Sequence, residues 1–288
     1  MNNWNTDTCK ANNISIHYTR TGGNKAPVIL LHGLMTNGLC WTNLAYALEK
    51  DYDVIMPDAR GHGLSDVPDA GYSYYDHASD VIGLIQALQL NKPVLIGHSM
   101  GGMTSAVLAD RSPELFRGMV LADPPFISVK MQREVRDSEV ADQHRRVLQL
   151  SLEEIIAEGK ARHPHRSAAS IERFARARLQ TSMAAFDVLT PPYPDYKQLK
   201  IKIPALLVFG DKGVVSAAMA AELQGLHPGL KLNRSHMQGI AFIWINRNVL
   251  QLSFNHSCIH YHEKNLNRYF LYIAGIGEVI NSFCSLPS

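Results

Sequence analysis

Short apolar runs alternate along the chain with longer amphipathic segments. Five of the runs stop at a glycine, an aspartate, a proline or a histidine, and they lie at 28–31, 54–56, 94–96, 119–122 and 205–209. Runs without polar alternation are typical of strands that are buried on both faces. Between the second and third runs, apolar residues recur at helical spacing and predict a helix over 76–90. The pattern predicts an α/β fold, with a mostly parallel central sheet and helices on both faces.

Two further strands are expected at the ends of this pattern. Residues 14–19 alternate between apolar and polar and stop at Gly22 and Gly23, which predicts a hairpin strand at one edge of the sheet. Residues 230–232 are expected to form the last strand. From about Asn233 the composition changes, because the last 56 residues hold only six Asp, Glu, Lys or Arg. We therefore expect an irregular C-terminal tail.

The connection between 119–122 and 205–209 is much longer than one crossover helix. It contains helical stretches at 138–159 and 168–186, followed by a proline-rich exit. Long connections with their own secondary structure commonly carry function. We expect residues 126–200 to form an inserted helical cap, residues 1–125 and 201–245 to form the core, and residues 246–288 to form the tail.

Composition excludes several classes of protein. The 28 Lys and Arg residues nearly balance 26 Asp and Glu, which argues against a nucleic-acid binder. Four scattered cysteines argue against a disulfide framework and a structural zinc site. The N-terminal residues lack the apolar stretch of a secretory signal, and no apolar run reaches the roughly 18 residues of a membrane span. We expect a cytoplasmic protein that binds neither nucleic acid nor a membrane.

A G-x-S-x-G pattern at 97–101 is the strongest chemical signal in the sequence. A buried strand precedes it and a helix, predicted over 101–109, follows it. A sharp strand-to-helix turn projects the serine hydroxyl above the sheet, and the two glycines remove side chains that would clash. The pattern predicts Ser99 as a nucleophile. Such a serine needs oxyanion donors, for which we predict the backbone N–H groups of Met100 and Leu34. His32 is expected to orient the loop that contains Leu34.

Four motifs occur together in the order LLHG at 30–33, PDARGHGLSD at 57–66, GHSMGG at 97–102 and DPP at 123–125. In this order they resemble the α/β-hydrolase superfamily, in particular its capped serine esterases. The resemblance covers about residues 12–232 and is specific for the superfamily, not for a substrate. It implies a triad in chain order serine, acid, histidine. The acid is expected after the strand that follows the cap, and the histidine after the last strand.

Two aspartates are candidates for the acid. Asp211 follows the 205–209 strand, at the end where open α/β sheets bind ligands, and it is the predicted acid. Asp123, one strand earlier, is the alternative. Many family members carry the acid a few residues beyond position 211, where this chain has Gly213, Val214 and Val215. The chain departs from the family pattern in this loop.

His236 is the predicted base, because it lies just beyond the expected last strand. Alignment on the GIAF stretch at 239–242 would instead put Gln238 at the base position, and glutamine cannot act as a base. The tail offers few helix caps and few charges to hold the loop after residue 232. We therefore expect His236 to be loosely placed or displaced, with weak activity.

These residues predict a serine hydrolase that acts on small carboxylic esters through a Ser-His-Asp triad and an acyl-enzyme. No metal or organic cofactor is implied, and the sequence leaves the oligomeric state open. The same fold and triad serve C–C hydrolases, lactonases and perhydrolases, while a catalytically silent binder of a small ligand is the alternative from another class. The cap carries 13 Lys and Arg against 10 Asp and Glu, which predicts a solvated face and leaves an anionic substrate open.

Overall fold

A computed structural model describes residues 4–235 of the 288-residue chain. Its centre is a sheet whose strands, in chain order, are β1 (Asn5–Ala11), β2 (Ile14–Arg20), β3 (Ala26–Leu31), β4 (Tyr52–Pro57), β5 (Val94–His98), β6 (Gly118–Ala122), β7 (Ala205–Gly210) and β8 (Leu230–Ser235). In space the order is β1-β2-β4-β3-β5-β6-β7-β8. β1 pairs antiparallel with β2, β2 pairs antiparallel with β4, and the remaining pairs are parallel. The predicted mostly parallel sheet is confirmed.

Within the same residues the chain forms the α-helices α1 (Thr42–Leu48), α2 (Tyr74–Ala87), α3 (Met100–Arg111), α4 (Val129–Arg136), α5 (Val140–Val147), α6 (Leu152–Arg162), α7 (Ala168–Leu179) and α8 (Ala217–Leu226). None of these helices is long and apolar enough to cross a membrane. α2 begins at a capping box, in which the Ser73 hydroxyl accepts the Asp76 N–H and the Asp76 carboxylate accepts the Ser73 N–H.

Successive residues of the central strands face opposite sides of the sheet and so build two apolar layers. In β3, Ile29 and Leu31 pack with side chains from α2, α3 and α8. Val28 and Leu30, from the same strand, pack with α1 on the other face. Both layers are fully buried at the sheet, which explains why these strands appear in the sequence as continuous apolar runs.

The long connection between β6 and β7, residues 126–200, forms a helical insertion. In it lie α4 to α7 and a 3-10 helix over Met183–Leu189. The helical stretch at 138–159 consists of two helices, because α5 ends at Val147 and α6 begins at a capping box formed by Ser151. Likewise the 168–186 stretch is α7 followed by the 3-10 helix. The predicted division into core, cap and tail stays a prediction, and both His236 and the tail lie outside the described residues.

Candidate active site

Ser99 lies at the sharp turn between β5 and α3. Its backbone has φ +48° and ψ −115°, a conformation that residues other than glycine rarely adopt. A Cβ at position 97 would come within 2.2 Å of the Gly101 carbonyl oxygen, and a Cβ at position 101 within 2.3 Å of the Leu31 carbonyl oxygen. The two glycines of the motif are therefore needed for the turn to form and for α3 to pack against the end of β3.

The loop after β3 passes directly beside Ser99. A Cβ built on Gly33 would lie 3.3 Å from the Ser99 Cβ. His32 holds this loop, because its Nε2 accepts the Ala59 N–H at 2.9 Å and its Nδ1 lies 2.8 Å from the Gly33 carbonyl oxygen. Nδ1 therefore carries the proton and donates a hydrogen bond to that oxygen. Burial lowers the pKa of His32, which keeps the ring neutral. His32 has the orienting geometry that the sequence predicts.

Leu34 and Met100 border the same cavity as Ser99. Leu34 directly follows Gly33 in the loop beside the nucleophile. Met100 is the first residue of α3, where a backbone N–H has no intrahelical partner. The N-terminal end of a helix also favours negative charge. The two residues predicted to supply oxyanion donors thus lie in the loop after β3 and at the start of α3, both of which border Ser99.

A cavity of about 300 Å³ separates Ser99 from the helical insertion. This volume is at the lower end of the range for small-molecule sites. The insertion lines it mainly with apolar side chains, which are Ile127, Met131, Val135, Val140, Ile155, Ile171, Phe174, Ala175, Val188 and Leu189. Four charged side chains also line it, namely Glu158, Arg162, Arg166 and Arg178. The sequence predicted a solvated face for these arginines and did not place them in the cavity.

Asp123 lies one strand away from the nucleophile. In the β5–β6 register His98 is opposite Ala122, and the Ser99 N–H donates to the Ala122 carbonyl oxygen at 2.9 Å. Asp123 follows directly, with a φ of +44°. Asp123 is 5% exposed, and its carboxylate accepts the N–H groups of Val214 at 3.1 Å and Val215 at 3.0 Å. Burial raises the pKa of Asp123, and these two N–H groups oppose that shift.

Asp211, the predicted acid, lies at the end of β7 and so one strand farther from β5 than Asp123. Its side chain is 33% exposed, and its carboxylate accepts a hydrogen bond from Arg234 Nε at 2.6 Å. The loop that follows turns towards Asp123, since a Cβ on Gly213 would lie 2.5 Å from the Asp123 Oδ1. The sequence contained a signal for Asp123, because positions 213–215, where many family members carry the acid, hold no acidic residue in this chain.

Two other polar side chains line the cavity and did not enter the predicted site. His98 is buried, and neither of its ring nitrogens has a hydrogen-bond partner within residues 4–235. Burial lowers the pKa of His98 to about 3, so His98 is a weak base. The Tyr193 hydroxyl is likewise buried without a partner in that part of the chain, and burial raises its pKa.

No group of three or more His, Cys, Asp or Glu in the described part of the chain is arranged to hold a metal ion. The cavity side chains named above are among those that could contact an organic ligand. The arrangement can therefore expose one strained serine, backbone N–H groups and cationic side chains to a small molecule.

The family model described as alpha/beta hydrolase fold matches residues 26–239. The chain belongs to this family, as the motifs at 30–33, 57–66 and 97–102 indicated.

Several known proteins are similar to the chain. A 2-(acetamidomethylene)succinate hydrolase from Mesorhizobium japonicum is 36% identical over 112 residues, which are 38% of this chain and 40% of that protein. An N-formylmaleamate deformylase from Pseudomonas putida is 35% identical over 116 residues, 40% of this chain and 43% of the relative. The chain thus spans about two fifths of these relatives. The crystal structure of an E-2-(acetamidomethylene)succinate hydrolase has a TM-score of 0.67 and 26% identity, covering 80% of this chain and 90% of that one.

Proposed function

We propose that the protein is a serine hydrolase of small acyl compounds, with carboxylic esters as the substrates to test first. The observation that carries the proposal is the strained turn at Ser99, which borders a cavity that the helical insertion also lines. A serine held at such a turn has its hydroxyl exposed above the sheet for attack on a carbonyl. The bordering backbone N–H groups of Leu34 and Met100 suit the oxyanion that this attack creates.

In this mechanism the Ser99 oxygen bonds to the ester carbonyl carbon while its proton passes to His236. The carbonyl oxygen becomes an oxyanion, held by the Leu34 and Met100 N–H groups. The carbon–oxygen bond to the alcohol then breaks, and the alcohol leaves with the proton from His236. Water attacks the acyl-enzyme, gives a proton to His236, and releases the carboxylic acid as that proton returns to Ser99.

We assign the orienting acid to Asp123 and keep Asp211 as the alternative. An orienting carboxylate must be buried, fixed and close to the nucleophile. Asp123 satisfies these requirements better, because β6 neighbours β5 and two backbone N–H groups fix its carboxylate. Each oxygen retains a lone pair for an imidazole N–H. Asp211 is more exposed and pairs with Arg234.

The relatives support hydrolysis of small molecules, since their names are those of a hydrolase and a deformylase. They leave the scissile bond of this chain's substrate open. Lactone opening, C–C hydrolysis and perhydrolysis use the same nucleophile and are distinguished by a substrate screen. We also propose that residues 126–200 act as the cap that selects among these substrates.

The test combines turnover of 4-nitrophenyl butyrate with labelling by a fluorophosphonate. Wild type should turn over the ester and be labelled, and Ser99→Ala should lose both. Ser105→Ala is the matched control. Ser105 lies in α3, the helix that follows Ser99, and its buried hydroxyl donates to the Gly101 carbonyl oxygen and not to a substrate. Undiminished labelling of Ser99→Ala would exclude Ser99 as nucleophile. A wild type without labelling or turnover of any ester, lactone or diketone would favour the silent binder.

A further inference from the structure

We propose that the substrate carries a carboxylate on its acyl part and that Arg178 and Arg162 bind this carboxylate inside the cavity. The inference rests on the proposed function, because it assigns the substrate class of the site at Ser99. It comes from the way the two neighbouring helices α6 and α7 present their side chains to the cavity.

The cavity face of α7 follows helical spacing. Ile171, Phe174, Ala175 and Arg178 are separated by three, one and three residues, and all four line the cavity. Residues three and four apart share one face of a helix. Arg178 therefore continues an apolar stripe that faces inwards, where an arginine without a binding role is not expected.

The same arrangement occurs on α6. Ile155, Glu158, Gly159 and Arg162 line the cavity from one face of that helix. A Cβ on Gly159 would approach the Ile171 Cγ2 to 2.9 Å, so the two helices lie close together. Their cationic residues thus belong to one wall of the cavity.

The cavity-lining charges of α6 and α7 are two arginines, Arg162 and Arg178, and one glutamate, Glu158. Arg162, which is 57% exposed, pairs with Glu158 at 3.4 Å. Arg178 is half-buried and forms no ion pair with any acid in the part of the chain that the structure describes. Burial lowers the pKa of Arg178, the charge of Arg162 lowers it further, and only Glu158 opposes the shift.

Arg176 shows that this excess is specific to the inner face. It lies on the same helix two residues before Arg178, is 56% exposed, and pairs with Glu172 at 2.7 Å. Arg176, on the outer face, is paired with an acid of the same helix, whereas Arg178, on the inner face, has no ion pair with an acid within residues 4–235. An anion bound in the cavity would relieve the repulsion between Arg178 and Arg162.

The shape of a guanidinium favours a carboxylate among small anions, because its planar fork donates two parallel hydrogen bonds to the two oxygens. Arg178 and Ser99 line one cavity of about 300 Å³. A short acyl chain with a terminal carboxylate can therefore offer its carbonyl to Ser99 and its charge to the arginines. A dicarboxylic acid monoester is the simplest compound of this class.

The test compares the monoanionic 4-nitrophenyl hydrogen glutarate with the neutral 4-nitrophenyl pentanoate. Wild type should prefer the glutarate ester in kcat/KM. In Arg178→Gln the ratio of the two kcat/KM values should fall about ten- to a hundredfold, the range for losing a hydrogen bond to a charged group. The change should come mainly from the KM for the glutarate ester. Arg176→Gln is the matched control and should keep the wild-type ratio.

A ratio that is unchanged in both Arg178→Gln and Arg162→Gln would overturn the inference while ester turnover stands. Arg162→Gln is included because its exposed side chain can be replaced without a burial cost. Binding of glutarate to Ser99→Ala, measured by calorimetry, gives a readout that needs no turnover. Binding that disappears in Ser99→Ala/Arg178→Gln supports the anion site even if no ester is hydrolysed. Equal binding by both proteins would refute it.

Discussion

Replacing Asp123 by Asn tests the assignment on which the proposed mechanism depends most. Each carboxylate oxygen of Asp123 accepts one backbone N–H, from Val214 and Val215. An asparagine side chain keeps one oxygen and puts an NH₂ group in the place of the other. One buried N–H therefore loses its acceptor, at a cost of about 1–3 kcal/mol. For a chain of this size the melting temperature should fall by roughly 2–4 °C for each kcal/mol, so the variant should remain folded at 25 °C.

The catalytic loss should be much larger than the loss of stability. An amide cannot hold the base in the required tautomer, for which the worked serine-protease triad loses about 10⁴ in kcat. At about 1.36 kcal/mol per tenfold, this equals about 5.4 kcal/mol of transition-state stabilisation. Asp211→Asn removes a partly exposed ion pair with Arg234, and such pairs contribute about 0–1 kcal/mol to stability. Because Asp211 does not orient the base in the proposed mechanism, kcat/KM of Asp211→Asn should stay within about fivefold of the wild-type value, which is about 1 kcal/mol.

The assay is kcat/KM for 4-nitrophenyl butyrate, with thermal unfolding followed by circular dichroism on the same samples. The two variants differ only in which aspartate becomes an amide, so each serves as the control for the other. A thousandfold loss in Asp211→Asn, together with near wild-type activity in Asp123→Asn, would place the acid after β7 and refute the assignment.

Three further predictions concern the scaffold. Gly101→Ala should abolish fluorophosphonate labelling and lower the melting temperature, because its Cβ would lie 2.3 Å from a carbonyl oxygen of β3. Asp80→Asn should lower the urea-unfolding free energy by about 3–5 kcal/mol, because it leaves the buried Arg60 guanidinium without its carboxylate. Burial lowers the pKa of His77 and His98 to about 3, so only the unfolded chain protonates them between pH 6.5 and 3. The contribution of these histidines to the unfolding free energy should be complete above pH 6.5. Below pH 6.5 the unfolding free energy should decrease by about 1.4 kcal/mol for each histidine and each unit by which the pH is lowered. An unfolding free energy that stays constant from pH 7 to 4.5 would contradict this.

Strands with local signals could be predicted, and strands defined by pairing could not. β3 to β7 are apolar and buried on both faces, so the sequence alone indicates them. β1 is polar and largely exposed, and it exists because its residues from Asn5 to Ala11 pair with β2. Its sequence contains no periodic signal of its own. The break between α5 and α6 had a local signal, since Ser151 and Glu154 form the S-x-x-E capping box.

The site divides in the same way. The turn at Ser99 follows from glycine spacing and could be predicted without tertiary structure. The choice between Asp123 and Asp211 needs the strand order, because both residues directly follow apolar strands in the sequence. The direction of Arg178 needs the position of α7 over the cavity. Helical spacing shows that Arg178 shares a face with Ile171, but not what that face covers.

The proposed nucleophile and the proposed anion site are expected to respond differently to substitution, because they lie on separate elements. Arg178 belongs to the insertion. Within residues 4–235 it forms no hydrogen bond with the turn at Ser99, so its replacement should act mainly on KM. The loop after β7 has both roles. Val214 fixes the Asp123 carboxylate through its N–H and also lines the cavity. A change of backbone at Val214 therefore moves the proposed acid and the cavity wall together, and should alter kcat and KM at once.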